Sequence, residues 1–171
     1  MEYNLGILIS GNGSNMLNII EAAKKRIIKS KVVTVVSNNP QALGIKKASK
    51  KGIDVKIINQ NKYSNICDFE NSLSKYLLKK RVDLICLAGF MKVLSKDFVK
   101  KWNNKIINIH PSLLPAFKGL NTHERAIQKK VKFSGCTVHF VDKNIDSGKI
   151  IDQEVVRVLK SDDAASLQKK I

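Results

Sequence analysis

The chain is short of the residues that staple, kink or ligate. Its 171 residues include three cysteines, three prolines, three histidines and one tryptophan. Cys67, Cys86 and Cys136 are odd in number and show no CxxC spacing. That argues against a disulfide framework and against a metal site, and for a reducing compartment. Free cysteines are usually small core residues, and all three are expected to be buried. No apolar run approaches the roughly 20 residues of a membrane helix. The start, MEYNLGILIS, has an acidic residue and no basic one before its apolar run, so it reads as a buried strand and not as a signal peptide. A cytoplasmic protein with no membrane partner is the expectation. Internal repeats, low-complexity blocks and Gly/Ser/Pro linkers are absent too.

Acidic residues are also scarce. Against 31 Lys and Arg stand 14 Asp and Glu, a net charge of +17. Such a charge attracts polyanions, and its distribution matters more than its total. Here the cations are spread as Lys24-Lys25-Arg26, Lys46-Lys47, Lys50-Lys51, Lys79-Lys80-Arg81 and Lys100-Lys101. These groups fall near the ends of predicted helices, where they suit the dipole. Few aromatics are interleaved with them, so stacking platforms are missing and the pattern argues against a nucleic-acid partner. A solvated lysine-rich surface fits it better.

What is present is a 43% hydrophobic chain, ordinary for one globular domain. Leu5–Ser10, Lys31–Ser37, Asp54–Ile58, Val82–Leu87 and Lys105–Ile109 read as strands, the first an almost unbroken apolar run of the doubly buried kind. Helical spacing follows Ser14, a candidate N-cap, then runs from the Asn39-Pro40 turn to Lys51, over Phe69–Lys80 and over Thr122–Lys130. Lys132–Val141 and Lys149–Leu159 add strands. Alternation of this kind predicts an α/β fold with a doubly wound, mostly parallel sheet flanked by helices. Ligands of such sheets bind outside the carboxyl ends of the strands.

Four motifs follow predicted strands. Ser10-Gly11-Asn12-Gly13-Ser14-Asn15 joins a strand to a helix start, where main-chain N–H groups and the positive helix end converge on an anion. Met16 replaces the third glycine of the dinucleotide fingerprint, no Gly-Lys-Ser/Thr follows, and the second strand ends in Ser37-Asn38-Asn39 without a ribose-binding carboxylate. The loop therefore suits one phosphate, or is simply a tight turn. Ile107-Asn108-Ile109-His110-Pro111-Ser112-Leu113-Leu114-Pro115 holds one of the three histidines and two of the three prolines. Asn108 and His110, two apart in a strand, share a face. An imidazole can move a proton or stabilise an oxyanion and an amide can donate, although a polar strand end followed by a turn has the same composition. Asp142 and Asp146, in the loop after Gly135–Val141, could each pair with a histidine, and the same loop has turn chemistry. Ala88–Ser95 (AGFMKVLS) mixes backbone access at Gly89 with apolar bulk, as a flat ligand pocket or a piece of core would.

Taken together, SGNGSN, SNN, LAGFMKVLS, NIHPSLLPAFKGL, GCTVHFV and DSGKIIDQ resemble, in order and spacing, the folate-dependent formyltransferases, and most closely the branch that formylates glycinamide ribonucleotide in purine synthesis. The resemblance covers the chain from residue 5 to about residue 160. It implies formyl transfer from 10-formyltetrahydrofolate, a cosubstrate, to the amine of glycinamide ribonucleotide through a tetrahedral intermediate, with no metal. Carried over, Asn108, His110 and Asp146 are the catalytic trio. Gly13, Ser14 and Asn15 bind the ribonucleotide phosphate, and Gly89 and Pro111 lie by the glycinamide end. Met91, Lys92, Val93, Leu94, Asn108, Val141 and Asp146 hold the folate. Departures from the family pattern are Ile66, where many members carry arginine, Lys143 for an acidic residue, and Ser147-Gly148-Lys149 for GGP. Members usually continue past the Asp162–Ile171 stretch into a last helix, so residues 1–171 are expected to be a single formyltransferase domain truncated at the C-terminus and lacking that helix. A monomer or weak homodimer is expected. Methionyl-tRNA formyltransferases and formyltetrahydrofolate deformylases share part of the pattern and usually carry extra domains. A basic nucleotide- or RNA-binding module without catalysis is the alternative from a different class.

Overall fold

In the computed structural model, which describes residues 2–171, the chain divides into two compact units, the first ending at Ile106 and the second spanning Ile107–Ile171. The first contains β1 (Tyr3–Ile9), α1 (Ser14–Lys24), β2 (Ser30–Ser37), α2 (Leu43–Lys50), β3 (Val55–Ile57), α3 (Ile66–Lys79), β4 (Leu84–Leu87) and α4 (Lys96–Lys101). Its strands run in the order β3-β2-β1-β4, and every pairing is parallel. The chain moves outward from β1 to β3, then returns to the other side of β1 with β4. That reversal makes the gap beyond the carboxyl ends of β1 and β4 the topological switch point of this unit.

Burial explains the apolar runs. Ile7, Leu8 and Ile9 of β1 are completely buried, as are Met16 and Ile20 of α1 and Leu77 of α3, with Leu73 close behind. Met16 with Ile20, and Leu73 with Leu77, recur at the four-residue interval that puts two side chains on one helix face. Each such side chain contributes roughly 1.5–3 kcal/mol relative to exposure. The lysines end helices as expected, Lys24 in α1, Lys47 and Lys50 in α2 and Lys79 in α3, and Lys100 and Lys101 close the unexpected α4.

Three expectations change. Gly13, not Ser14, is the N-cap of α1, and Ser14 is already helical. The glycine sits at φ 72° and ψ 31°, left-handed territory in which a serine would be strained. α4 has no counterpart among the expected elements. Ser95 caps it by accepting from Phe98 N–H, and Phe98, Val99 and Trp102 are buried, but six residues are too short for a clear period. Of the cysteines, Cys86 is buried, which pushes its thiol up to about 12, and Cys136 is half-buried. Cys67 is exposed on α3, contrary to the core assignment.

β5 (Ile106–His110) leads into the second unit, with α5 (Thr122–Gln128), β6 (Phe133–Phe140), β7 (Ile150–Arg157) and α6 (Ala164–Lys170). Here the pairing is antiparallel, β5 with β6 and β6 with β7. Asn108 stands opposite His139, and His110 opposite Thr137. α6 opens with a capping box: Asp163 accepts from Ser166 N–H, and Ser166 Oγ accepts from Asp163 N–H.

Candidate active site

In the second unit the antiparallel register brings polar side chains together that lie far apart in sequence. Asn108 and His110 are two apart on β5, and their partners His139 and Thr137 are two apart on β6, so all four belong to one pleat period. His139 is 2% exposed. Its Nδ1–H donates to Phe140 O at 2.9 Å, which leaves Nε2 to accept from the Asn108 amide at 3.2 Å. This uses one of the amide's two N–H groups and fixes which end of the amide faces His139.

Asp146 lies in the loop between β6 and β7 at φ 47°, a conformation that Asp tolerates better than most residues. The carboxylate is 12% exposed, and its Oδ2 lies 3.3 Å from His110 Nδ1. The same oxygen accepts from Gly119 N–H at 2.8 Å. Oδ1 lies 3.7 Å from His139 Nε2, beyond hydrogen-bond range, so the Asn108 amide is that nitrogen's closer partner. On its other side, His110 Nε2 is 3.0 Å from Phe117 O. Acceptors thus face both ring nitrogens of a histidine that is itself buried. Of the two candidate aspartates, Asp146 meets the histidines, while Asp142 accepts from Asn144 N–H in a local turn.

The turn after β5 is held from β6. Thr137 Oγ1 donates to Ser112 O at 2.6 Å and accepts from Leu114 N–H at 3.0 Å and from Gln153 Nε2 at 2.9 Å. Ser112 N–H returns to His110 O and Ser112 Oγ donates to Ala116 O. The Leu114–Pro115 peptide is cis. Thr137, His139 and Gln153 were not among the expected site residues. For the first two the signal is present, since Thr137-Val138-His139 puts two polar residues at period two in β6. Only the β5–β6 and β6–β7 registers reveal what they touch. Pro111 and Val141 are half-buried. A shallow depression beside the trio is lined by Leu114, Pro115, Lys118, Asp146, Ser147 and Ile150.

The first unit carries the other expected residues. Gly13 is buried, Ser14 is exposed and Asn15 is half-buried in the first turn of α1. Lys47 Nζ of α2 reaches back to this loop, donating to Asn12 O at 3.0 Å and Asn12 Oδ1 at 2.6 Å. Gly89, at φ 72°, and Met91–Leu94 form the segment after β4. Met91 is 72% exposed and Val93 64%, with Lys92 and Leu94 half-buried, so this segment is a surface and not core. Ile66 opens α3, 40% exposed, behind its N-cap Asn65.

Comparison with known proteins gives this geometry its context. The formyl transferase family matches residues 3–171. The chain belongs to that family. It is 39% identical over 158 residues to a phosphoribosylglycinamide formyltransferase from Haemophilus influenzae, which covers 92% of this chain and 74% of the relative. To the human trifunctional purine biosynthetic protein adenosine-3 it is 42% identical over 170 residues, 99% of this chain but 17% of that protein's length. The crystal structure of a glycinamide ribonucleotide transformylase from Symbiobacterium toebii superposes with a TM-score of 0.97 at 38% identity, covering 99% of this chain and 80% of that one. The α/β fold expected from the strand–helix alternation is therefore the formyl transferase fold.

Proposed function

We propose that this chain, read as one formyltransferase domain, transfers the formyl group of 10-formyltetrahydrofolate to the amine of glycinamide ribonucleotide. The observation that carries the reading is the pairing of His110 with Asp146, beside an Asn108 two residues away on the same strand, in the second unit of a formyl transferase family member. The amine attacks the formyl carbon, whose oxygen takes up negative charge. An N–H of His110 and the remaining N–H of the Asn108 amide stabilise that oxyanion, and donors of this kind lower a barrier by roughly 3–4 kcal/mol. His110 Nε2 exchanges the Phe117 carbonyl for the oxyanion to do so. Asp146 holds His110 and assists movement of the proton that the amine loses to the folate nitrogen, whose bond to the formyl carbon breaks. One C–N bond forms and one breaks, yielding formylglycinamide ribonucleotide and tetrahydrofolate.

In the first unit, the main-chain N–H groups at Gly13, Ser14 and Asn15 take the ribonucleotide phosphate, and Gly89 borders the glycinamide end. Met91, Lys92, Val93 and Leu94 border the folate largely through backbone groups. Both substrates are anionic, which suits a net charge of +17.

The test is a formyl-transfer assay with glycinamide ribonucleotide and 10-formyltetrahydrofolate, following tetrahydrofolate release and formylated product together. Stoichiometric formation of both supports the reading. Release of folate without formylated product would favour a deformylase. Formylation of methionyl-tRNA instead, with binding that weakens steeply in salt, would replace the acceptor.

A further inference from the structure

The switch point of the first unit contains a chain of hydrogen bonds that no role described above uses. Ser10, the residue after β1, is its centre. Its hydroxyl donates to Asn38 Oδ1 at 2.7 Å and accepts from Met91 N–H at 2.8 Å. Its own N–H donates to Gly89 O at 3.0 Å, and its carbonyl accepts from Asn39 Nδ2 at 3.1 Å. Asn38 is buried, and its Nδ2 donates to Gln60 Oε1 at 3.1 Å. The relay therefore runs from the turn after β3, through the end of β2, to the end of β1, and finishes on the segment after β4.

Each link sets the next. Donation by the Asn38 amide to Gln60 turns its oxygen toward Ser10. Accepting the hydroxyl proton, that oxygen turns a Ser10 lone pair toward Met91 N–H. The far end is the part that needs holding. Among the described residues, Met91 N–H is the one main-chain group between Gly89 and Ser95 that makes a hydrogen bond. The side chains of Met91 and Val93 are largely exposed, so packing does little to fix that backbone.

We propose that Ser10 is a positioning residue for folate: through its hydroxyl, oriented by Asn38, it fixes the Met91 backbone and with it the Gly89–Leu94 segment. This inference rests on the reading of that segment as folate-binding. It concerns only the hydroxyl, because the loop that faces the phosphate continues from Ser10 through backbone that an alanine would keep.

The experiment pairs Ser10→Ala with Ser10→Thr and reads amide hydrogen exchange at Met91 without substrates, together with KM for each substrate. Loss of the acceptor exposes the Met91 N–H, so Ser10→Ala should raise its exchange, and the KM for 10-formyltetrahydrofolate, about tenfold. The ribonucleotide KM should stay within about twofold, and Ser10→Thr, which keeps the hydroxyl, should return both readouts toward the parent values. Unchanged Met91 exchange in Ser10→Ala would overturn the proposal. So would an equal rise of both KM values with a lowered melting temperature, which is general loosening, or a threonine variant that behaves like alanine. If the parent chain binds no 10-formyltetrahydrofolate analogue, the functional reading falls. Met91 exchange then still decides whether Ser10 holds the segment.

Discussion

At Gly13 the first unit offers only main chain: a glycine at positive φ, a helix start, and N–H groups with no titratable side chain in the loop. Between Asn108 and Asp146 the second unit works the other way, with an amide, two imidazoles and a carboxylate projecting from paired strands and a loop. The two regions also differ in how the sequence specifies them. A parallel sheet delivers its loops to one edge, so a short local motif is enough to build an anion-binding turn. An antiparallel pair delivers side chains to one another across the ladder, so its chemistry depends on register. Substitutions should therefore act differently in the two places, through backbone geometry in the first and through proton and charge chemistry in the second.

The sharpest way to break that contrast is Asp146→Asn. Asparagine adopts positive φ as readily as aspartate and keeps an acceptor for Gly119 N–H, so the loop should hold its shape. What it removes is the charge beside His110. The expected result is a fall in kcat of about 10²- to 10⁴-fold. The melting temperature should move by less than about 3 °C, the scale of 1 kcal/mol for a chain this size. Near-normal turnover in a well-folded variant would remove Asp146 from the catalytic trio.

Gly13→Val tests the opposite principle with a smaller effect. A left-handed conformation costs an ordinary residue about 1–2 kcal/mol, and a branched one more. In addition, a Cβ at Gly13 would lie 2.9 Å from Met16 Cε and 3.1 Å from Gly44 Cα. The ribonucleotide KM should rise about tenfold while the folate KM changes by less than about threefold. An equal loss of both would point to a folding defect and dissolve the contrast.

How much of this was legible beforehand follows the same division. β1, β2 and β4 announce themselves because strands buried on both faces are written as apolar or β-branched runs. The phosphate-loop candidate is a contiguous hexapeptide. Asn108 and His110 are visible as a pair because period two is local. His139 is not visible as their partner, since 31 residues separate it from Asn108 and only the antiparallel register joins them. Turn chemistry alone does not tell Asp142 from Asp146, because the difference lies in which one the loop turns inward; only the family resemblance selects Asp146. α4 was missed for a different reason: the Ser95 cap with Asp97 in the first turn is a recognisable start, but the helix ends before its buried face repeats. The Ser10 relay was half-seen, its SGNGSN and SNN members standing out as separate motifs with nothing to join them.

Gly44→Ala probes the first unit at lower cost. Gly44 N–H donates to Gly11 O at 3.0 Å, and an added Cβ would meet Ile9 Cδ1 at 2.6 Å and Gly11 O at 3.1 Å. The isoleucine end can swing away, whereas the carbonyl belongs to the loop. A loss of about 1 kcal/mol, the low end for overpacking, is expected in urea unfolding. It should be accompanied by a modest rise in ribonucleotide KM and none in folate KM. An unchanged ribonucleotide KM would mean that α2 does not set the shape of the loop.

The smallest effect is a pH dependence confined to the second unit. His123 of α5 has a buried Nε2 without a hydrogen-bond partner, and burial holds its pKa below the usual histidine value, with Glu124 opposing the shift. A histidine with a lowered folded pKa binds fewer protons folded than unfolded in that interval. Its contribution to stability is therefore complete above the unfolded value of about 6.5 and is lost as pH falls through the folded value. Melting temperatures recorded from pH 7.5 down to pH 5 should fall more steeply for the parent chain than for His123→Asn, which has no proton to take up. Parallel curves would show that His123 is solvated well enough to titrate alike in both states.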